Sequence, residues 1–269
     1  MGSRFLTIIP LIFLVSSTVL LIFTVINGST TNSPINALYW SETDTSGITG
    51  APFDKSRWTF YTLCGVQNGD NNNCLPMVAA YPYSPYDNFP FGRIDLPLDF
   101  ITNRNTYYYL SRTAFSFILI ALVGSALSLL ITPLGFCFKS CGGGGSAFSI
   151  FVTFVFGATG ASCLTAAHAM GRKHFNDNGM QTNLGAAAFG ILWAGVFCLL
   201  MAFIGSCLVC CGNNRTKTKY VSAGPVPGAA GEPGYYPNNN AQPVYYLTDN
   251  NKGTNQYEGA TYVGRQDSK

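Results

Sequence analysis

The sequence predicts an all-α membrane protein: a four-transmembrane-helix bundle with a small extracellular β-sheet subdomain in its first loop. Three observations predict it. Four long apolar segments, Phe5–Ile26, Ala114–Phe138, Ala147–Met170 and Leu184–Cys211, contain no Asp, Glu, Lys or Arg. One polar stretch, residues 27–113, separates the first two and carries Cys64 and Cys74. Only 10% of residues are charged while 48% are hydrophobic, the balance of a membrane class.

Each apolar segment has enough residues to cross a hydrocarbon core of ~30 Å at ~1.5 Å rise per residue. In lipid the backbone must satisfy its own hydrogen bonds, so each segment reads as a helix. Residues 1–4, with Arg4, form a short N-terminus, and 5–26 is the first span. Its apolar run exceeds a signal-peptide core of about 7–15 residues and no A-x-A cleavage site follows, so it reads as retained. The outer loop is 27–113. Spans two, three and four are 114–138, 147–170 and 184–211. A turn at 139–146 with Gly142–Gly145 joins the second to the third, and a second outer loop, 171–183, joins the third to the fourth. Residues 212–269 form a tail whose Pro225, Pro227, Pro233, Pro237 and Pro243 sit among Gly, Asn and Tyr without apolar periodicity, the composition of a disordered segment.

Positive charge alone sets the orientation poorly. Arg4, Lys139, Arg215, Lys217 and Lys219 fall on one side, against Arg104, Arg112, Arg172 and Lys173 on the other. The cysteines decide it. A Cys pair in a polar loop reads as a disulfide, which persists on the oxidising side. That places Cys64 and Cys74 outside and both termini in the cytoplasm. The sequon Asn27-Gly28-Ser29 lies on the same side, against the membrane.

Within the outer loop, Arg57–Leu63 (R-W-T-F-Y-T-L) is rich in β-branched and aromatic types. It reads as a strand with Trp58 and Phe60 on one face, and Met77–Tyr81 as a second strand. The loop is too poor in aliphatic residues to stand alone and is expected to rest on the helices.

Charged groups at membrane depth mark pumps and coupled transporters. The spans hold none, and their one titratable group of that kind, His168, reads as an interfacial imidazole bonded to a neighbour. Small residues recur at four-residue spacing: Gly157 and Ala161 in span three, Ala186, Gly190 and Ala194 in span four, Gly124 and Ser128 in span two. Such faces let helices approach closely, within a bundle or between copies. Cys207, Cys210 and Cys211 end span four beside Arg215, Lys217 and Lys219, the setting of reversible acylation; free thiols are the plain alternative. No His or fourth ligand accompanies them, so no metal site is expected. Gly142–Gly145 lacks the Lys-Ser/Thr of a phosphate loop, and no H-E-x-x-H or G-x-S-x-G occurs. A non-enzyme without a cofactor is expected. The net charge of +3 is spread out, with no basic stripe for nucleic acid.

The run Trp58-Thr-Phe-Tyr-Thr-Leu-Cys64, nine residues and then Cys74 resembles the first-loop signature of claudin-like four-span proteins. There an aromatic stands three residues before the first of two nearby cysteines, the place of Tyr61 here. The claudin Gly-Leu-Trp is replaced by Thr59-Phe60-Tyr61, which separates this chain from tight-junction claudins. The signature Arg57, Trp58, Phe60, Tyr61, Leu63, Cys64 is more narrowly similar to the fungal Sur/PalI family of plasma-membrane tetraspanners. That resemblance implies a structural role in a sterol-rich, eisosome-associated microdomain, with effects on cell-wall integrity, endocytosis and stress tolerance. It implies as partners the lipid bilayer, further copies or related tetraspanners, and cytoplasmic eisosome proteins. The alternative it implies is an accessory protein of an ambient-pH-sensing complex, in which His168 and His174 would take part.

Overall fold

The computed structural model describes residues 2–30, 32–137 and 142–213; the side chains of 2–7, 134–137, 142–144 and 210–213 are left aside. The predicted tail beyond residue 213, Lys139 and Cys141 lie outside the described residues. Four long helices form the bundle: α1 (Gly2–Val25), α4 (Arg104–Cys137), α5 (Gly142–Asp177) and α6 (Ala186–Asn213). Each is long and apolar enough to cross a membrane. Two short helices, α2 (Pro85–Asn88) and α3 (Leu98–Thr102), precede α4.

The packed neighbours are α1–α4, α4–α5, α5–α6 and α6–α1, so the helices close a ring. Its centre is filled by Leu14, Leu21, Ile118, Ile150, Leu192 and Leu199, with alanines such as Ala121, Ala161 and Ala202 between them. Small residues matter because packing contacts, rather than expulsion of water, hold helices together in lipid. At Gly160 a Cβ would lie 2.9 Å from Ile118 and 3.1 Å from the Ala114 carbonyl, so glycine is what lets α4 and α5 touch there. Every neighbouring pair also shares a polar contact. Ser17 Oγ donates to the Gly195 carbonyl at 2.9 Å, Thr18 and Ser125 hydroxyls lie 3.2 Å apart, Ser128 and Ser149 2.8 Å apart, and Trp193 Nε1 donates to Thr165 Oγ1 at 3.2 Å. Ile12, Leu130, Phe148, Phe197 and Leu208 face outward, where lipid takes the place of a core.

The small-residue stripes divide. Gly157 and Ala161 face inward, Gly157 against Leu199 and Ala121. Ala186, Gly190 and Ala194 are exposed, and nothing lies within 4 Å of a Cβ built at Gly190. Their regular spacing marks a face, but the bundle uses the opposite side of α6, through Ala188, Leu192 and Val196.

Two helices run past their apolar segments. α4 begins at Arg104, ten residues before Ala114, and α5 continues to Asp177, seven beyond Met170. These extensions carry a five-stranded antiparallel sheet of order β4-β3-β2-β1-β5. Its strands are β1 (Ser41–Asp44), β2 (Lys55–Trp58), β3 (Leu63–Gln67), β4 (Asp70–Asn72) and β5 (Thr182–Leu184). The last comes from the short second loop and pairs Ser41 with Leu184 and Thr43 with Thr182.

The expected strand Arg57–Leu63 is two strands and a turn. β2 ends at Trp58, β3 starts at Leu63, and those two residues face each other across the hairpin. Thr59 and Thr62 break the strand. The Thr59 backbone N–H donates to the Thr62 carbonyl at 3.1 Å, and Thr59 Oγ1 accepts from the Thr62 N–H at 3.1 Å. Side-chain bonds of this kind offer the backbone an alternative to the ladder. Met77–Tyr81 is not a strand either. It runs beside the hairpin with isolated bonds from Val78 N–H to the Tyr61 carbonyl and from Tyr81 N–H to the Phe60 carbonyl, both 2.8 Å.

Candidate functional site: the sheet-bearing plate and its anchors

The Trp58–Cys74 signature builds the hairpin that joins the plate to the bundle. Trp58 and Phe60 do not share a face; the turn between the strands sends them into different cores. Trp58 is buried in the plate, edge-on to Tyr83 at 5.2 Å and Phe89 at 6.0 Å, with its Nε1 donating to Asn88 Oδ1 at 2.9 Å. Phe60 at the hairpin tip enters the bundle core, 4.7 Å from Trp40 and 5.1 Å from Phe115 of α4. Its N–H donates to the Asn27 carbonyl at the end of α1. Gly28 turns the chain there with φ +86°, and any side chain would collide with Thr59, 2.0 Å away. Asn27 is itself buried, so the folded chain offers no access to the sequon.

Leu63 packs into the plate core beside Trp58. Tyr61 leans on Phe115 at 5.9 Å. Cys64 and Cys74 form a disulfide that ties β3 to the segment after β4. Arg57, on the opposite face from Trp58, is buried. Its Nε donates to Glu42 Oε2 at 2.6 Å, its Nη1 to the Gly69 carbonyl at 2.8 Å, and its guanidinium lies 4.1 Å from the Tyr39 ring centre. A buried cation needs such partners, because an unpaired one is costly. The signature therefore spreads across three jobs: Trp58 and Leu63 fill the plate, Phe60 and Tyr61 seat it on the bundle, and Arg57 and Cys64 lock neighbouring strands.

Further ties fix the plate to the helix extensions. Arg104 grips Asp87 with Nε and Nη2 bonds of 2.7–2.9 Å. Asp99 accepts from Tyr107 Oη and from Asn103 Nδ2, and lies 3.3 Å from His174 Nε2. Partial burial tends to raise both carboxyls. At Asp87 the Arg104 and Ser84 hydrogen bonds, with the Arg104 and Arg93 charges, outweigh it and hold the group below the ordinary aspartate value. At Asp99 the Tyr107 and Asn103 hydrogen bonds and His174 do the same.

His168 is buried, its Nδ1 2.9 Å from Ser41 Oγ and its ring 4.0 Å from Tyr83. The bond to a neighbour matches the expectation, although the imidazole is sealed rather than interfacial. A serine and a histidine at this distance have the spacing of a nucleophile and its base. Both are shut off from solvent beneath Tyr83, so a substrate has no path to the hydroxyl. Sequence reasoning missed Ser41, Tyr83 and the Asp87–Arg104 and Asp99–His174 contacts, because each joins residues far apart in the chain. Among the described residues, no group of three His, Cys, Asp or Glu is placed to hold a metal ion. Cys207 is half-buried near the end of α6; Cys210 and Cys211 belong to the same helix.

The SUR7/PalI family profile matches residues 6–205, which take in the plate, its hairpin, α4 and α5 whole, and most of α1 and α6. The chain belongs to the SUR7/PalI family. It is 44% identical over 198 residues to Protein SUR7 of Candida albicans, covering 74% of this chain and 72% of that protein. It is 37% identical over 202 residues to Protein SUR7 of Saccharomyces cerevisiae, covering 74% of this chain and 65% of that protein. A further Saccharomyces cerevisiae relative, described as an uncharacterized plasma membrane protein, is 32% identical over 221 residues, with 81% and 72% covered. No solved structure matches the chain. The profile match ends at residue 205, before Cys207, Cys210 and Cys211.

Proposed function

We propose that this SUR7/PalI member is a structural organiser of a plasma-membrane microdomain, lying with its plate outside and both termini in the cytoplasm. The disulfide supports that orientation, since such a bond persists on the oxidising side. A relative described as a plasma membrane protein supports the location. The observation that carries the reading is the outward stripe Ala186, Gly190 and Ala194, a close-packing face that the bundle leaves unused. A rigid plate locked to four helices, with a free packing face on one of them, suits lateral assembly with further copies or related four-span proteins. It does not suit moving a solute or catalysing a reaction, since the spans hold no charged group and Ser41 and His168 are sealed. The microdomain is the eisosome-associated compartment, with cytoplasmic coat proteins as inner partners and cell-wall integrity, endocytosis and stress tolerance as the processes served. At least one of Cys207, Cys210 and Cys211 is acylated in this reading; an acyl-exchange mass shift in the wild type checks this, and its absence rules the modification out under those conditions.

The test is fluorescence recovery after bleaching of the tagged full chain in fungal cells. Punctate, slowly recovering signal is expected, with dispersal on replacing Gly190 by Leu. Rapid, complete recovery without patches overturns the reading. The second reading, an accessory of ambient-pH sensing, draws on His174, which is partly exposed and sits against Asp99 where α5 meets α3. Loss of alkaline-pH signalling with a diffuse wild-type distribution favours that alternative.

A further inference from the structure

The plate carries two exposed apolar patches among its described residues. One lies at Phe91, Ile94 and Leu98, which are 80%, 89% and 74% exposed, beside the β1–β2 turn, where Phe91 packs on Gly50. That turn is at the end of the sheet away from the bundle, because β1 leaves the bundle after Trp40 and the chain beyond β2 re-enters it at Phe60. The other lies at Met77 and Val78, 64% and 56% exposed, and it sits at the bundle end. We infer that segment 75–81 is seated in the membrane interface beneath the plate, with Met77 and Val78 against the acyl boundary of that leaflet.

Five observations carry the placement. The backbone of the segment is held by the hairpin tip, through Leu75 N–H to the Leu63 carbonyl at 2.9 Å and the Val78 and Tyr81 bonds to Tyr61 and Phe60. The tip marks the membrane level, since Phe60 bonds the end of α1 at Asn27, and Tyr61 and Phe60 both contact Phe115, the second residue of the apolar run of α4. Arg112, exposed on α4 just before that run, donates to Tyr108 Oη at 2.6 Å, the arrangement of a cation and tyrosine at head-group height. The run Leu75-Pro-Met-Val-Ala-Ala-Tyr81 has no charge, and its Pro76–Ala79 part is exposed. The Cys64–Cys74 disulfide holds the segment in place at its start. An uncharged strap pinned at this height meets lipid before it meets water, and apolar side chains in that position enter the boundary between head groups and acyl chains. The seat would hold in either orientation of the chain and with or without patches.

The test uses the full chain in phosphatidylcholine nanodiscs at one copy per disc, doped with a phospholipid carrying a diazirine on the acyl carbons nearest the glycerol. After photolysis, peptide mass spectrometry compares adducts on 75–81 and 89–101. The expected result is at least fivefold more adduct on 75–81, although Phe91 and Ile94 are the more exposed. Met77→Asp with Val78→Asp lowers that labelling at least fivefold while labelling of 114–138 and the Cys64–Cys74 link are kept. Equal or lower labelling of 75–81 in the wild type overturns the inference, and the wild-type ratio decides even if the double variant loses its link. Protection of 75–81 only in discs holding two copies, with water access at one copy, also overturns it and assigns the patch to a second chain.

Discussion

The bundle buries Leu14, Leu21, Ala121, Ile150, Ala161 and Leu199, whereas the plate buries Trp58, Tyr83, Phe89, Phe100, Tyr107 and Phe175. The first set is aliphatic and small. The second is aromatic, and Trp58 and Tyr107 carry polar atoms that reach Asn88 and Asp99. The difference follows from the solvent each region would otherwise face. A leucine leaving the bundle meets lipid, so the bundle gains from contact and close approach alone. An aromatic leaving the plate meets water, so each ring contributes the full hydrophobic term. Cohesion is therefore spread thinly over many residues in the bundle and concentrated on a few in the plate.

The largest effect that would sharpen this contrast is expected at Trp58. Trp58→Ala removes the ring that meets Tyr83 and Phe89 and should cost about 3–5 kcal/mol. Hydrogen exchange should show the loss in β2, β3 and the 83–100 segment while α1 and α6 stay protected; equal loosening of the helices would break the contrast. Replacing Cys64 and Cys74 together by serine comes next. The crosslink closes a short loop, worth about 2–4 kcal/mol, and its loss should again fall on the plate, read by faster proteolysis of 65–81 in nanodiscs. Gly160→Leu tests the other region. A side chain there meets the Ala114 carbonyl and Ile118 at 2.9–3.1 Å, and overpacking should cost about 1–3 kcal/mol. The change should appear as lower thermal stability with exchange rising along α4 and α5.

The smallest effect concerns the plate's ion pair. Asp87→Asn should cost at most about 1 kcal/mol, since Arg104 is 41% exposed and water screens the pair. Its pH dependence has a definite sign. Asp87 and Asp99 have folded values below the ordinary 3.8, so their contribution is complete above about pH 5 and is lost as pH falls through the depressed values. Thermal melts should be flat from pH 7 to 5 and fall below about pH 4, with a weaker fall in D87N.

Much of the site was legible residue by residue but not as an arrangement. Cys64 and Cys74 announced their bond by sharing a polar loop, and Trp58 announced its importance by its place in the signature. The same run was misread as one strand, because β propensity counts residue types and passes over the Thr59–Thr62 bonds that fold it back. Ala186, Gly190 and Ala194 were recognisable as a close-packing face. Which way that face points depends on where α1 and α5 lie against α6.

The sequence by itself determined the four helices, their order and the polar region that carries the disulfide. Hydropathy acts on each segment separately, and a helix in lipid satisfies its backbone without a partner. Only the tertiary structure decided the rest: the three residues of β5 completing the sheet from another loop, Phe60 seated between α1 and α4, Ser41 bonded to His168, and the outward turn of one face of α6. Each is a pairing between positions far apart in the chain, and its stability exists only once both partners have been brought together.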